Sequence, residues 1–472
     1  MTGAEPGAEP GAVPGAVSGA APGATLSPRA RRGYALGSVA TGAFGTVPGL
    51  LLLPYLTDRL GVAAALAGVI VFLPKAWDVV LNPVAGGVSD RHESPQGRRR
   101  PFLLRAGTAL AVCFALLFAG PAAPQGVAAA WVVVAFLACA TAYAFFQVPY
   151  VAMPAEMTDD YDERTRLMTW RVAVLALAIL LSGASAPAIR DAVGPEQGYR
   201  VMGLAVGLLI LVGALGAWWG TAAAPTGHRL AASGGLRTQL AVVAAARDFR
   251  LLLLTFVLQA LATGAMLAGV DYVARHVIGT RAASTLLFVC FVGPALVVTP
   301  LWQRFGQARG KKTGYAVASL LLAVGALTLV AARELPVAGV YAAVAVVGVG
   351  YAGAQMFPMA MLPDAAAVDA ARTGVNRVGV YTGVWTAGET LGLALGPGLY
   401  ALVLALGGYV SSTDAAATQP GSAVTAITLG FSLVPAVLVL ASLAALSRYR
   451  LDERAVAAAT YAAPASSPKE DA

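Results

Sequence analysis

Twelve apolar stretches, each about 20 residues long, follow one another through this chain. That is the length an α-helix needs to cross the hydrocarbon of a bilayer. They fall at Tyr34–Leu56, Ala63–Val88, Phe102–Gly120, Val127–Val151, Leu167–Ile189 and Val201–Ala223, then at Leu251–His276, Ala283–Trp302, Thr313–Ala332, Val337–Met361, Gly379–Leu406 and Val424–Leu446. In lipid each backbone N–H and C=O must be bonded internally, so a run of such stretches points to a bundle of helices. The expected fold is all-α and polytopic, with 12 transmembrane helices in two six-helix pseudo-repeats. Composition agrees, since 58% of residues are hydrophobic and 12% charged, against about 25% charged in a soluble domain.

The ends and the middle of the chain read differently. Residues 1–28 repeat a Gly-Ala-x-Pro unit that has nothing to bury and reads as a disordered tail. It lacks the basic start and apolar core of a secretory signal. Residues 29–224 form the expected first bundle, 225–250 a cytoplasmic linker, 251–447 the second bundle and 448–472 a cytoplasmic tail. Within the linker, Leu236–Ala246 reads as a short helix lying on the membrane surface. Basic residues gather on one side: Arg29, Arg31 and Arg32 before helix 1; Arg98, Arg99 and Arg100 between helices 2 and 3; Lys311 and Lys312 between helices 8 and 9; Arg448 and Arg450 after helix 12. The short-loop rule places that side, and both termini, in the cytoplasm, and the expected location is the plasma membrane. The net charge of +8 is spread over these short clusters, which argues against a nucleic-acid binder. Cys113, Cys139 and Cys290 stand far apart in apolar spans and read as small buried hydrophobes, not as metal ligands.

The two halves echo each other. Gly97 with Arg98–Arg100 precedes helix 3, and Gly310 with Lys311 and Lys312 precedes helix 9. Pro154, Asp160 and Arg164 after helix 4 answer to Pro363, Asp369 and Arg372 after helix 10, an offset of about 210 residues. Parallel repeats of this kind place a substrate site between the halves near the membrane midplane.

The candidate functional residues are polar groups within apolar spans. An ionisable side chain at the centre of a membrane helix costs about 2.5–3.5 kcal/mol on insertion scales, so it is retained where it faces the protein interior or a wet cavity. Asp78 in helix 2 is such a residue; Lys75, three positions before it, and Asn82, four after it, share its helix face. The functional reading is a cation or proton site; the structural one is an ion pair between helices. Pro83 leaves the Val79 carbonyl without its helical donor, which offers a further oxygen. Glu389 in helix 11 reads equally as a solute or proton contact and as a packing hydrogen bond. Gln147, Gln259 and Gln355 are uncharged candidates, more often interhelical bonds than ligands. Trp385 offers a ring to stack on a solute, though aromatics in membrane helices mostly pack. Asp271 and Arg275, near the end of helix 7, read as interfacial. At the basic side, Asp90 with Arg98, Arg99 and Arg100, faced by Asp160, Asp162, Glu163 and Arg164, reads as a charge latch that closes that end.

Several strings together resemble one family. They are Tyr55-Leu56-Thr57-Asp58 with Gly61, Trp77-Asp78 through Asn82-Pro83, Ser89-Asp90-Arg91 with Gly97-Arg98-Arg99-Arg100-Pro101, Val148-Pro149-Tyr150, Thr158 through Arg166, Arg372-Thr373-Gly374, and Gly379 through Trp385. Over most of residues 33–450 the chain resembles the glycoside–pentoside–hexuronide:cation symporters, the melibiose-permease-like branch of the major facilitator superfamily. The resemblance implies a cation-coupled importer that works by alternating access. It implies a cation site built from two helix-2 acids four residues apart; Asp78 matches the first, and Asn82 stands at the second. In the sugar-transporting members an acid in helix 1 aligns with Gly42, an acid in helix 4 with Gln147, and a lysine in helix 11 with Thr390.

The expected function is therefore secondary transport of a small, sugar-like organic solute, coupled through Asp78 to H⁺ rather than Na⁺. One carboxylate titrates alone, whereas Na⁺ usually wants several oxygens. The alternative is an exporter of a more apolar compound, motivated by the missing sugar-site charges and by Glu389. The sequence has no nucleophile–base pair, phosphate loop or metal motif, so no enzyme is expected. Nor is any cofactor expected beyond a co-transported ion. The partners are the solute and the lipid bilayer, with no nucleic acid, and the chain is expected to be a monomer.

Overall fold

The computed structural model describes residues 26–158, 160–224, 246–373, 377–414 and 417–451. The N-terminal tail to residue 25, the linker residues 225–245 with nearly all of the expected surface helix, and the tail from residue 452 lie outside the described residues. Among the described residues, twelve helices are long and apolar enough to span a membrane: α1 (Pro28–Arg59), α2 (Ala64–Arg91), α3 (Arg100–Leu117), α4 (Gln125–Ala152), α5 (Glu163–Val193), α6 (Gly198–Gly220), α7 (Arg247–Ile278), α8 (Ala283–Arg309), α9 (Lys311–Ala331), α10 (Val337–Thr373), α11 (Gly379–Leu406) and α12 (Gly421–Ser447).

Their ends follow local chemistry. The Ser27 hydroxyl accepts from Ala30 N–H at 3.2 Å, with Pro28 at the first helical position, and so starts α1. Asp160 accepts from Glu163 N–H at 2.7 Å and caps the helix leading into α5. Two boundaries differ from the sequence reading. The helix α7 begins at Arg247, inside the expected linker. The helix α10 runs to Thr373, well past Met361, because the alanine-rich stretch Ala365-Ala366-Ala367 sustains helix beyond the apolar span.

Packing repeats between the halves. In the first, α1 packs on α5 and α6, α3 on α4 and α6, and α2 on α4. In the second, α7 packs on α11 and α12, α9 on α10 and α12, and α8 on α10. The same contacts recur six helices later. Turns repeat as well. Both α1 and α7 close on a π-type turn, Tyr55–Arg59 and Ala274–Ile278. Gly97 (φ 87°) and Gly310 (φ 84°) hold the matching turns before α3 and α9 in a left-handed conformation that suits glycine. Within a bundle, small residues bring backbones together: a Cβ on Gly396 of α11 would stand 2.5 Å from the Gly264 carbonyl carbon of α7.

The bundles meet through α1 against α7, α2 against α11, and α5 against α8. An even number of crossings puts the start of α1 and the end of α12 on one side of the membrane, called here the terminal side; the other is the far side.

Candidate functional site

The α2 helix carries Lys75, Asp78 and Asn82 on one face. Asp78 is 3% exposed, so in this conformation its carboxylate is covered and does not point at lipid. Lys75 Nζ lies 3.9 Å from Asp78 Oδ2, at the outer limit of an ion pair, and keeps 21% exposure. That ammonium also sits over the rings of Phe44 of α1 (4.9 Å) and Tyr143 of α4 (5.8 Å), which hold it against the inside of the first bundle. Asp78 Oδ1 is buried with no hydrogen-bond partner. Asn82 is half-buried one turn further on.

Around this pair stand polar groups from both halves. Tyr143 lies within electrostatic reach of Asp78, of Arg171 on α5 and of Glu389 on α11. Gln147 Oε1 accepts from Thr41 Oγ1 at 2.7 Å, joining α4 to α1. Tyr150 donates to the Tyr34 carbonyl at 2.7 Å and stacks on its ring. The Arg171 guanidinium lies 5.6 Å over the Tyr150 ring, and its Nε has no hydrogen-bond partner. On the second bundle Gln355 donates to the Tyr351 hydroxyl at 3.1 Å, and Tyr351 is within reach of the Glu389 charge. Glu389 and Thr390 are half-buried.

Two sequence candidates lie elsewhere. Gln259 is 3% exposed, and its amide donates to Ser319 of α9 (2.8 Å) and Ser442 of α12 (2.9 Å). It is a core residue of the second bundle: its amide nitrogen is bonded to two serines, while its Oε1 is buried without a partner among the described residues. Trp385 is 1% exposed and stacked on Phe256 of α7 at 4.4 Å, so its ring is spent on packing. Arg171, by contrast, was not among the sequence candidates. The only signal was its place a little over two turns inside a helix that begins with charges.

The expected latch also takes another form. Arg99 pairs with Asp90 (3.1 Å) and Glu156 (2.7 Å), while Arg100 donates to the Trp218 carbonyl of α6 (2.9 Å). Arg98 borders a small cavity beside them. Asp160 caps a helix, Arg164 donates to the Thr158 carbonyl (2.8 Å), and Glu163 pairs with Arg31 of α1 (3.0 Å). Lys311 and Asp364 pair in the second bundle (2.6 Å), as do Arg372 and Asp369 (3.3 Å). Each of these contacts lies within one bundle; none of them bridges the two.

Cross-bundle charges lie instead at the far side. Arg190 of α5 pairs with Asp271 of α7 at 2.7 Å, and Arg275 of α7 with Asp58 of α1 at 2.5 Å. Arg275 also binds Asp271, and Ser284 of α8 donates to Asp271 at 2.8 Å. The Tyr409 hydroxyl donates to Asp58 at 2.7 Å. Burial and that neighbouring carboxylate hold the Tyr409 phenol well above the usual tyrosine range. Asp271 is fully buried, a correction to its reading as an interfacial residue. The four charges Asp58, Arg190, Asp271 and Arg275 are paired because α1, α5 and α7 converge there.

Two matched helical bundles, joined across one mouth by ion pairs and carrying buried polar groups within their membrane-spanning helices, describe a membrane transporter. The chain belongs to the MFS/sugar transport protein family, whose model matches residues 33–453. It is 25% identical to an uncharacterized symporter of Synechocystis, over 87% of this chain and 92% of that one. To the glucuronide carrier protein homolog of Escherichia coli it is 27% identical, over 87% of this chain and 90% of the other. Its fold resembles that of a bacterial homolog of the human lysosomal transporter Spinster, solved inward-facing and unoccupied, with a TM-score of 0.66 at 12% identity, covering 90% of this chain and 97% of that one. The protein is thus a multi-pass membrane protein of the major facilitator fold and a secondary transporter of a small solute, not an enzyme.

Proposed function

We propose that the protein imports a sugar-like solute by alternating access, coupled to H⁺ through Asp78. The observation that carries this reading is the Asp78 carboxylate: buried, 3.9 Å from its one cationic neighbour, with a free oxygen. A lone carboxylate so placed holds or releases one proton with little rearrangement. Three or more carboxylate, thiol or imidazole ligands do not converge anywhere among the described residues. A Na⁺ ion here would rely on Asn82 and backbone oxygens.

Arg171 supports a substrate with an acidic group. A guanidinium with a free N–H, over the ring of Tyr150 in the first bundle, matches a carboxylate on a sugar ring. The name of the Escherichia coli relative agrees with such a solute. Gln147 on the first bundle and Gln355 on the second suit ring hydroxyls, and Glu389 lies on the second bundle with Gln355. The terminal side, with its basic loops, is taken as the cytoplasm, so the ion pairs of Asp58 and Asp271 close the outer mouth.

Reconstitution tests this directly. Uptake of labelled glucuronate is compared under an imposed H⁺ or Na⁺ gradient, in wild type and Asp78→Asn. Accumulation is expected with H⁺ alone and is lost in Asp78→Asn, while exchange without a gradient persists. Undiminished gradient-driven accumulation in the variant removes Asp78 from coupling. Transport confined to inverted vesicles reverses the direction.

A further inference from the structure

Outside the space between the bundles, the first bundle has a lateral groove of about 510 Å³ between α3 and α4. Its walls include Phe102, Ala109, Cys113, Ala138 and Phe145, with two polar residues, Arg105 and Thr141. It opens sideways. Arg105, Ala109, Val112 and Leu116 stand four, three and four residues apart, so they share one face of α3, and all four are exposed. In a spanning helix such a face meets lipid.

Arg105 is out of place there. It lies five residues into α3 from Arg100, about 7.5 Å along the axis. It has no hydrogen bond or ion pair among the described residues, whereas neighbouring Arg99 and Arg100 are fully engaged. Its aliphatic stem can follow the groove while the guanidinium reaches the level of lipid phosphates. His92, at the end of α2, meets Phe102 edge-on at 5.2 Å, which sets the mouth of the groove beside Arg91. Arg91, next to His92, likewise forms no ion pair among the described residues, so Arg105 and Arg91 bring positive charge to this end of the groove.

We propose that this groove binds one anionic phospholipid from the terminal-side leaflet, its phosphate on Arg105 and the upper part of an acyl chain between α3 and α4. Apolar walls, a lateral opening and a free guanidinium at phosphate depth are the features such a lipid requires. The surplus of positive charge selects an anionic headgroup over a zwitterionic one. The occupant touches Thr141, which accepts the Trp77 indole N–H at 3.3 Å. Trp77 immediately precedes Asp78, so the lipid steadies the contact between α2 and α4 behind the coupling carboxylate. This inference is independent of substrate and coupling ion.

The full chain is purified in detergent, stripped of lipid, and titrated with phosphatidylglycerol or with phosphatidylcholine of the same chains. Native mass spectrometry reads the bound lipid, and thermal unfolding reads stability. Phosphatidylglycerol is expected to bind about fivefold more tightly, the contribution of one basic residue at an anionic surface, and to raise the unfolding temperature. Arg105→Gln abolishes that preference, and Arg105→Lys keeps most of it. Ala109→Phe, which fills the groove from its lipid-exposed wall, lowers the binding of both lipids. Equal binding of the two lipids to wild type, or an undiminished preference in Arg105→Gln, overturns the proposal in favour of ordinary annular lipid. Stabilisation by inorganic phosphate alone equal to that by phosphatidylglycerol also overturns it, in favour of a small-anion site.

Discussion

The far-side mouth yields a quantitative prediction through Asp58→Asn. The Asp58 carboxylate accepts from Arg275 (2.5 Å), Tyr409 (2.7 Å) and Thr57 (2.7 Å). Asparagine keeps one acceptor oxygen but not the charge. A hydrogen bond to a charged group contributes about 1.5–3 kcal/mol and a neutral one about 0.5–1.5, so the substitution loses about 1–1.5 kcal/mol. The two side chains are 13% and 10% exposed, so solvent screening reduces this only slightly. The contact joins α1 to α7 across the bundles, so the loss falls on the closed-mouth state and not on either bundle alone. About 1.4 kcal/mol is a tenfold change in an equilibrium. The pair Arg190–Asp271 remains, so the mouth loosens without coming apart. The reporter is Leu267→Cys on α7, which faces Gly49 of α1 across the bundles, in a background lacking Cys113, Cys139 and Cys290. A membrane-impermeant maleimide added from the far side is expected to label it about tenfold faster with Asp58→Asn than without. An unchanged rate, with the unfolding temperature also unchanged, refutes the assignment of this cluster as the gate.

Three further outcomes follow from the same geometry. Tyr409→Phe removes a hydrogen bond to the charged Asp58, worth about 1.5–3 kcal/mol, and should speed the same labelling by about tenfold or more. Gly396→Ala places a methyl 2.5 Å from the Gly264 backbone; it should destabilise the protein by about 1–3 kcal/mol and lower the unfolding temperature in detergent. Gln259→Leu breaks the bonds to Ser319 and Ser442; it should cost about 0.6–2 kcal/mol of stability yet leave KM for solute unchanged, while Arg171→Ala raises KM with stability retained.

The fold was legible because its main determinant is local: a helix crosses lipid if about 20 successive residues are apolar, and no partner need be known. The repeat could be read for the same reason, from Gly97 against Gly310 and Asp160 against Asp369. The site was only partly legible. Gln147 and Gln259 look alike in sequence, each an amide in an apolar helix, yet one borders the space between the bundles and the other is tied to two serines in a bundle core. When a helix is apolar all round, periodicity does not tell a chamber face from a packing face. The far-side cluster was the largest omission. Arg275 and Asp58 are 217 residues apart, and each alone resembles an ordinary charge at a helix end. Only the convergence of α1, α5 and α7 reveals them as partners. One signal was available: Asp271 and Arg275 lie one turn apart at the end of α7, and Asp58 occupies the corresponding end of α1.

A mouth fastened by ion pairs behaves unlike one sealed by an apolar seam. Parting the bundles there sets carboxylates and guanidiniums free into water, and their hydration offsets much of the attraction given up. The two conformations can then lie close in free energy without a precisely tuned hydrophobic contact. Dissolved salt stabilises the separated charges far more than the buried pairs. The ionic strength of the medium bathing the far side therefore becomes a control on which conformation the empty carrier adopts.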